Sequence, residues 1–146
     1  MISKHFKYTS FNGLEVERDI YFNITESEYY DKELSREGGW IIPMQRALQA
    51  KNIPVMWEYF KEIILSSVGK ISDDGESFIK TPEYTKWFTE TPMYNELLMS
   101  FFKPGNEGVG AEFIKGVFPI IALKKMADAI KENEKAEEPP IDPAEA

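Results

Sequence analysis

Residues 12–28 read Asn12-Gly13-Leu14-Glu15-Val16-Glu17-Arg18-Asp19-Ile20-Tyr21-Phe22-Asn23-Ile24-Thr25-Glu26-Ser27-Glu28. This stretch decides the fold, because a strand and a helix start stand back to back in it. Val16, Ile20, Phe22 and Ile24 share one parity, and Glu17, Asp19, Tyr21 and Asn23 the other. That is the period of a half-buried strand. Arg18 interrupts the apolar parity and predicts a place near a sheet edge. Thr25 and Glu28 then form a capping box, in which the hydroxyl accepts an orphan helix N–H and the carboxylate reaches back to the cap. A helix is expected to about Arg36, stopped by Gly38-Gly39. Its apolar face is thin, with Tyr30 and Leu34, so it must lean on the strands.

Working back toward the N-terminus, residues 4–24 read as a β-hairpin around the turn signal Asn12-Gly13. Parity selects the turn. A two-residue loop puts Phe6 and Tyr8 on the face opposite Ile20 and Phe22. A three-residue loop, Phe11-Asn12-Gly13 with Gly13 left-handed, unites Phe6, Tyr8, Val16, Ile20 and Phe22 on one face. The three-residue form is predicted.

Working forward, Pro43 in a first turn predicts a helix to about Lys51. Pro54 starts the most amphipathic segment: Met56, Tyr59, Phe60, Ile63, Ile64 and Ser67 recur at helical spacing, and the segment ends before Gly69. Residues 69–80 are a loop or short hairpin around Asp74-Gly75. Thr81-Pro82 and Thr91-Pro92 each offer a hydroxyl cap followed by proline at the first helical position. Another helix carries Phe113, Ile114, Val117 and Phe118, and Pro119 kinks or restarts it. From about Asn133 the chain is rich in Glu, Ala and Pro, the composition of a disordered tail. The predicted class is α+β, mostly α. A single globular domain spans residues 1–132, with the hairpin at 4–24 and about six short helices at 25–132, followed by a disordered acidic tail at 133–146.

Charge narrows the function classes. The formal net charge is −8, and residues 128–146 carry −5 of it, so the body is nearly balanced. Nucleic-acid binding needs clustered Lys and Arg, and an anionic membrane surface needs the same. Neither partner is expected. Cysteine is absent, which removes disulfides and thiolate metal sites. No apolar signal region opens the chain and no stretch reaches the roughly 20 apolar residues of a membrane span. A cytoplasmic protein is expected.

No motif carries catalytic or metal chemistry, and no cofactor is expected. His5 is the sole histidine and has no second histidine or cysteine to complete a dyad or a zinc site. Asp73-Asp74-Gly75-Glu76 suggests a calcium loop, but aligning Gly75 with loop position six puts Lys70 at the first ligand position and Thr81 where the bidentate glutamate belongs. Glu15, Glu17 and Asp19 alternate along one strand face, opposite the apolar one, and are expected to be solvated. What remains is an excess of large aromatics on short helices. Trp87, Phe88, Phe101, Phe102, Phe113 and Phe118 are the candidate partner-binding residues, for an amphipathic helix or for self-association.

Three ordered stretches carry a family likeness. They are Lys7-Tyr8-Thr9-Ser10-Phe11-Asn12-Gly13 closing with Tyr21-Phe22-Asn23-Ile24-Thr25, then Glu37-Gly38-Gly39 after an acidic helix, then Asp74-Gly75-Glu76-Ser77-Phe78-Ile79-Lys80 followed by Thr91-Pro92-Met93-Tyr94. Together, over about residues 6–118, they resemble the tail assembly chaperones of long-tailed, siphophage-type bacteriophages of Gram-positive hosts. Trp40, Pro43 and the acidic tail fall outside the likeness. The resemblance implies a non-enzymatic protein of the host cytoplasm, absent from the mature virion. Its partner would be the tape-measure protein, whose apolar stripes it keeps soluble, and it would help recruit tail-tube subunits. It also implies two lengths, the longer made by ribosomal frameshifting. The same composition suits a virion structural part, such as a head–tail connector or minor tail protein. A DNA-mimicking inhibitor is disfavoured because the acid is concentrated in the tail.

Overall fold

The computed structural model describes residues 1–137. β1 (Ile2–Thr9) and β2 (Glu15–Phe22) pair antiparallel, with Ile2 opposite Phe22 and Tyr8 opposite Val16. That register pairs even with even and leaves Phe11-Asn12-Gly13 as the loop, as the parity argument predicts. Gly13 sits at φ +85°, where a side chain would be strained, and its N–H donates to the Ser10 carbonyl at 2.9 Å. The even face buries Phe6, Ile20 and Phe22. Arg18 is exposed, on the part of β2 that only β1 pairs, and its guanidinium stacks over the Trp87 ring at 5.4 Å.

The capping box forms as expected: Glu28 N–H donates to Thr25 Oγ1 at 3.2 Å and Thr25 N–H to Glu28 Oε1 at 3.0 Å. It opens α1 (Glu26–Leu34). The buried side of α1 differs from the expected one. Tyr29 and Glu33 face inward, while Tyr30 and Leu34 are 39% and 80% exposed. A carboxylate reads as a surface residue in sequence, and here the fold supplies its partners. α2 (Ile41–Gln49) follows, with Pro43 in its first turn, then α3 (Ile53–Ser67), capped by Asn52 and burying Phe60, Ile63, Ile64 and Ser67.

The helix α3 passes directly into a strand. Ser67 ends it and Val68 begins β3 (Val68–Ile71), which pairs antiparallel with β2 through Phe22 opposite Val68. The expected turn at Asp74-Gly75 then leads to β4 (Phe78–Ile79). The sheet is four-stranded, in order β1-β2-β3-β4. Two backbone bonds pin its centre to the helices: Asn23 N–H to Ser67 O at 2.9 Å, and Ile24 N–H to Val117 O at 3.0 Å.

The remaining helices are α4 (Pro82–Thr89), α5 (Pro92–Ser100), α6 (Glu107–Val117) and α7 (Ile120–Glu137). Thr81 caps α4 through Tyr84 N–H at 3.1 Å. Thr91 departs from the expected cap and donates its hydroxyl backwards to Phe88 O at 2.7 Å, joining α5 to α4. At Pro119 the chain restarts, because Phe118 is extended at φ −78° and ψ 147°. Helix α7 runs to Glu137, past the expected end at 132, because Ala, Glu and Lys are strong helix formers whatever their effect on solubility. The remainder of the expected tail, residues 138–146, lies outside the described residues.

The core lies between the even face of the hairpin and the helices. Phe22 meets Phe113 at 5.2 Å and Phe88 at 5.8 Å, both edge-on, and Phe88 also meets Phe6 at 6.4 Å. Each such ring contributes about 1.5–3 kcal/mol by leaving water, and the edge-on geometry adds to it.

Candidate functional site

One face of the helical layer is left open. Met56 and Phe60 sit one turn apart on α3, Phe101 and Phe102 just beyond α5, Ile114 on α6, and Leu123 and Met126 on α7. Together they line a groove of about 650 Å3 with predominantly apolar walls. Its floor is aromatic. Phe60 stacks on Phe101 at 4.6 Å and meets Phe102 edge-on at 5.7 Å, and Phe102 continues to Trp57 at 5.3 Å. Gly110 of α6 lets its helix close on this floor, since a β-carbon there would stand 2.7 Å from the Phe60 ring. Lys51, Lys103 and Lys115 stand around the groove with one carboxylate, Glu107.

The wall formed by α7 is anchored through a buried carboxylate. Glu33 Oε2 accepts from Trp40 N–H at 3.0 Å and Ile41 N–H at 3.1 Å, the unsatisfied amides that open α2. Its Oε1 accepts from Lys125 Nζ of α7 at 2.9 Å. Burial alone would raise its pKa; the Lys125 ammonium and the two amides outweigh it and hold the carboxyl below its ordinary value. Tyr29, buried beside it, is pushed up to about 12 by desolvation and by the negative charge of Glu33. Gly38 and Gly39 are both left-handed at φ +80°, and Gly39 lies so close to Glu33 Oε1 that no β-carbon fits. α1 ends at Leu34, short of the expected Arg36, and the Gly-Gly pair instead closes a separate turn, with Gly39 N–H donating to Arg36 O at 3.0 Å, that makes room for the carboxylate that starts the next helix.

The six aromatics expected to meet a partner divide. Phe88, Phe101, Phe113 and Phe118 are core residues: Phe88 and Phe113 hold the sheet to the helices, Phe118 packs on Trp40 at 5.1 Å, and Phe101 joins Phe113 to Phe60. Phe102 is half-buried and lines the groove with Phe101. Trp87 is exposed elsewhere, between Tyr84 and Arg18. Sequence reasoning missed Leu48, Met56 and Met126, whose helical spacing is that of any core residue. Only the packing shows which side of a helix stays bare.

The other candidates serve the fold. Thr9, Lys7 and His5 of β1 face Glu15, Glu17 and Asp19 of β2 in register, with His5 Nδ1 2.8 Å from Asp19 and Lys7 3.6 Å from Glu17. Asp74 Oδ1 accepts from Ser72 Oγ at 2.6 Å and Glu76 N–H at 3.0 Å, and so folds its own turn. Those two hydrogen bonds, the one from Ser72 above all, hold its carboxyl below the ordinary value. A smaller cavity of about 440 Å3 beside Trp40 is lined mostly by polar side chains, and its Glu28 and Arg36 are engaged by Lys80 and Glu62. Among the described residues no group of three or more acidic or histidine side chains gathers to hold a metal ion, and no helix is long and apolar enough to cross a membrane.

No curated protein and no solved structure matches the chain. A family model described as phage tail assembly chaperone matches residues 1–145, nearly its full length. By that match the chain belongs to the phage tail assembly chaperone family.

Proposed function

We propose that this chaperone binds the tape-measure protein of a long-tailed phage of a Gram-positive host. It takes amphipathic helical segments of that protein into the groove beneath α2, α3, α6 and α7. Membership of the family implies protein partners in tail assembly and action in the infected cell. The role is one of binding, without catalysis: covering the apolar stripes of a long helical protein keeps it soluble until tail-tube subunits, recruited with the chaperone's help, enclose it. The observation that supports this reading is the groove itself. Its aromatic floor, with Met56, Leu123 and Met126 around it, offers the surface that a helix with apolar residues at positions i, i+3, i+4 and i+7 fills.

Co-expression tests the proposal. Fragments of the tape-measure protein should remain soluble with this chain and sediment with it, and Phe102→Asp should abolish the association. Absence of association with every fragment would refute it. Mass spectrometry of purified virions should find the chain missing, and finding it in the mature particle would point instead to a structural tail protein.

A further inference from the structure

The groove has a charge opposite to that of the chain around it. The protein is strongly acidic, at −8, yet the groove carries three lysines against the single carboxylate Glu107. Lys115 has an exposed partner one turn away, Glu112 at 3.6 Å. Lys51 and Lys103 have no anionic partner among the described residues, although the chain holds 25 acidic side chains against 17 basic ones.

The backbone at Lys51 points the same way. Lys51 follows the C-cap Ala50 of α2 and adopts φ +52°, the one left-handed residue other than glycine among the described residues. Helices that close this way place glycine or asparagine at that position, because a β-carbon is disfavoured there. A lysine kept in a strained conformation at the edge of an open site suggests a task for its ammonium.

We propose, building on the tape-measure reading above, that the groove selects the acidic stretches of its partner: helices whose apolar stripe is flanked by Asp or Glu, which pair with Lys51 and Lys103. The apolar stripe supplies affinity and the two ammonium groups choose among stripes. A tape-measure protein offers many apolar stripes along its length, so this charge preference would set where along it the chaperone sits.

The test uses the full chain and peptides of about 20 residues, long enough to form helix, tiling the tape-measure protein of the same phage. Binding is read by fluorescence anisotropy at low and high salt. The tightest peptides should be acidic, and their affinity should fall as salt rises. Lys51→Gly, Lys51→Asn and Lys103→Gln should each weaken them about threefold to fivefold, in line with a partly exposed ion pair. Neutral peptides should lose nothing. Lys51→Gly and Lys51→Asn relieve the backbone, so their melting temperatures should equal or exceed that of the wild type, which separates lost binding from lost folding. Equal binding of acidic peptides by wild type and variants, or a preference for basic peptides, overturns the charge preference and leaves the chaperone reading standing. Failure of the wild type to bind any tile overturns both. Sedimentation showing that a second copy fills the groove and excludes peptide also overturns the proposal.

Discussion

Removing Glu33 should cost far more than removing the lysine it pairs with. The carboxylate accepts two backbone amides at 3.0 and 3.1 Å, and these bonds are buried. A hydrogen bond to a charged group contributes about 1.5–3 kcal/mol. Glu33→Ala strands both amides and should destabilise by roughly 3–4 kcal/mol. Lys125 is 43% exposed and returns to water when its partner goes, so Lys125→Met should cost under about 1 kcal/mol. Glu33→Gln retains an amide oxygen for the two N–H groups and loses only the charge and the lysine, which places it between, at about 1.5–2 kcal/mol. Urea unfolding followed by tryptophan fluorescence reads all three, since Trp40 is fully buried beside the site. The pH dependence gives a second check. The Glu33 pKa is lowered on folding, so its contribution is full above the ordinary glutamate range and is lost as pH falls through the folded value. The wild-type curve should therefore converge on that of Glu33→Gln in acid. Equal losses from Glu33→Ala and Lys125→Met would show that the ion pair, and not the helix cap, holds this corner, and the reasoning would fail.

Other perturbations follow from the same geometry. Gly110→Ala forces a β-carbon to within 2.7 Å of the Phe60 ring and should destabilise by about 1–3 kcal/mol, whereas Gly108→Ala two residues earlier meets nothing within 4 Å and should be neutral or slightly stabilising by thermal melt. Gly39→Ala should lower the melting temperature more than Gly38→Ala: both are left-handed, but only Gly39 abuts Glu33. Phe60→Asp buries an unpaired charge and should unfold the protein by circular dichroism. Phe102→Asp, at a half-buried position, should cost partner binding more than folding, and equal destabilisation in the two variants would remove Phe102 from the binding surface.

Local rules made the hairpin and its register legible, because only one loop length puts Phe6 with Ile20 and Phe22. The capping box at Thr25 and the start of α4 at Thr81 were legible for the same reason: each device is completed within four residues. What stayed hidden depends on distant partners. Val68-Gly69-Lys70-Ile71 shows no alternation, and its place beside β2 rests on two paired positions 46 and 48 residues apart in sequence. The buried face of α1 turns on Glu33, whose lysine lies 92 residues away. The aromatic excess between Tyr84 and Phe118 pointed toward the region of the groove through Phe101 and Phe102. The two methionines beside it are set by the way α2, α3 and α7 fail to cover one another, a property of the assembled helices.

The junction between Ser67 and Val68 bears on the thermodynamics of capture. The α3 wall of the groove has no linker before the sheet, so moving that wall outward would peel β3 from β2 and break the bond from Asn23 to Ser67. The groove is therefore preorganised, and under the proposed function a helix entering it would incur little reorganisation entropy on this chain's side. Association should then proceed in one kinetic phase, without a preceding opening step, and the enthalpy and entropy of capture should report mainly on the ordering of the partner.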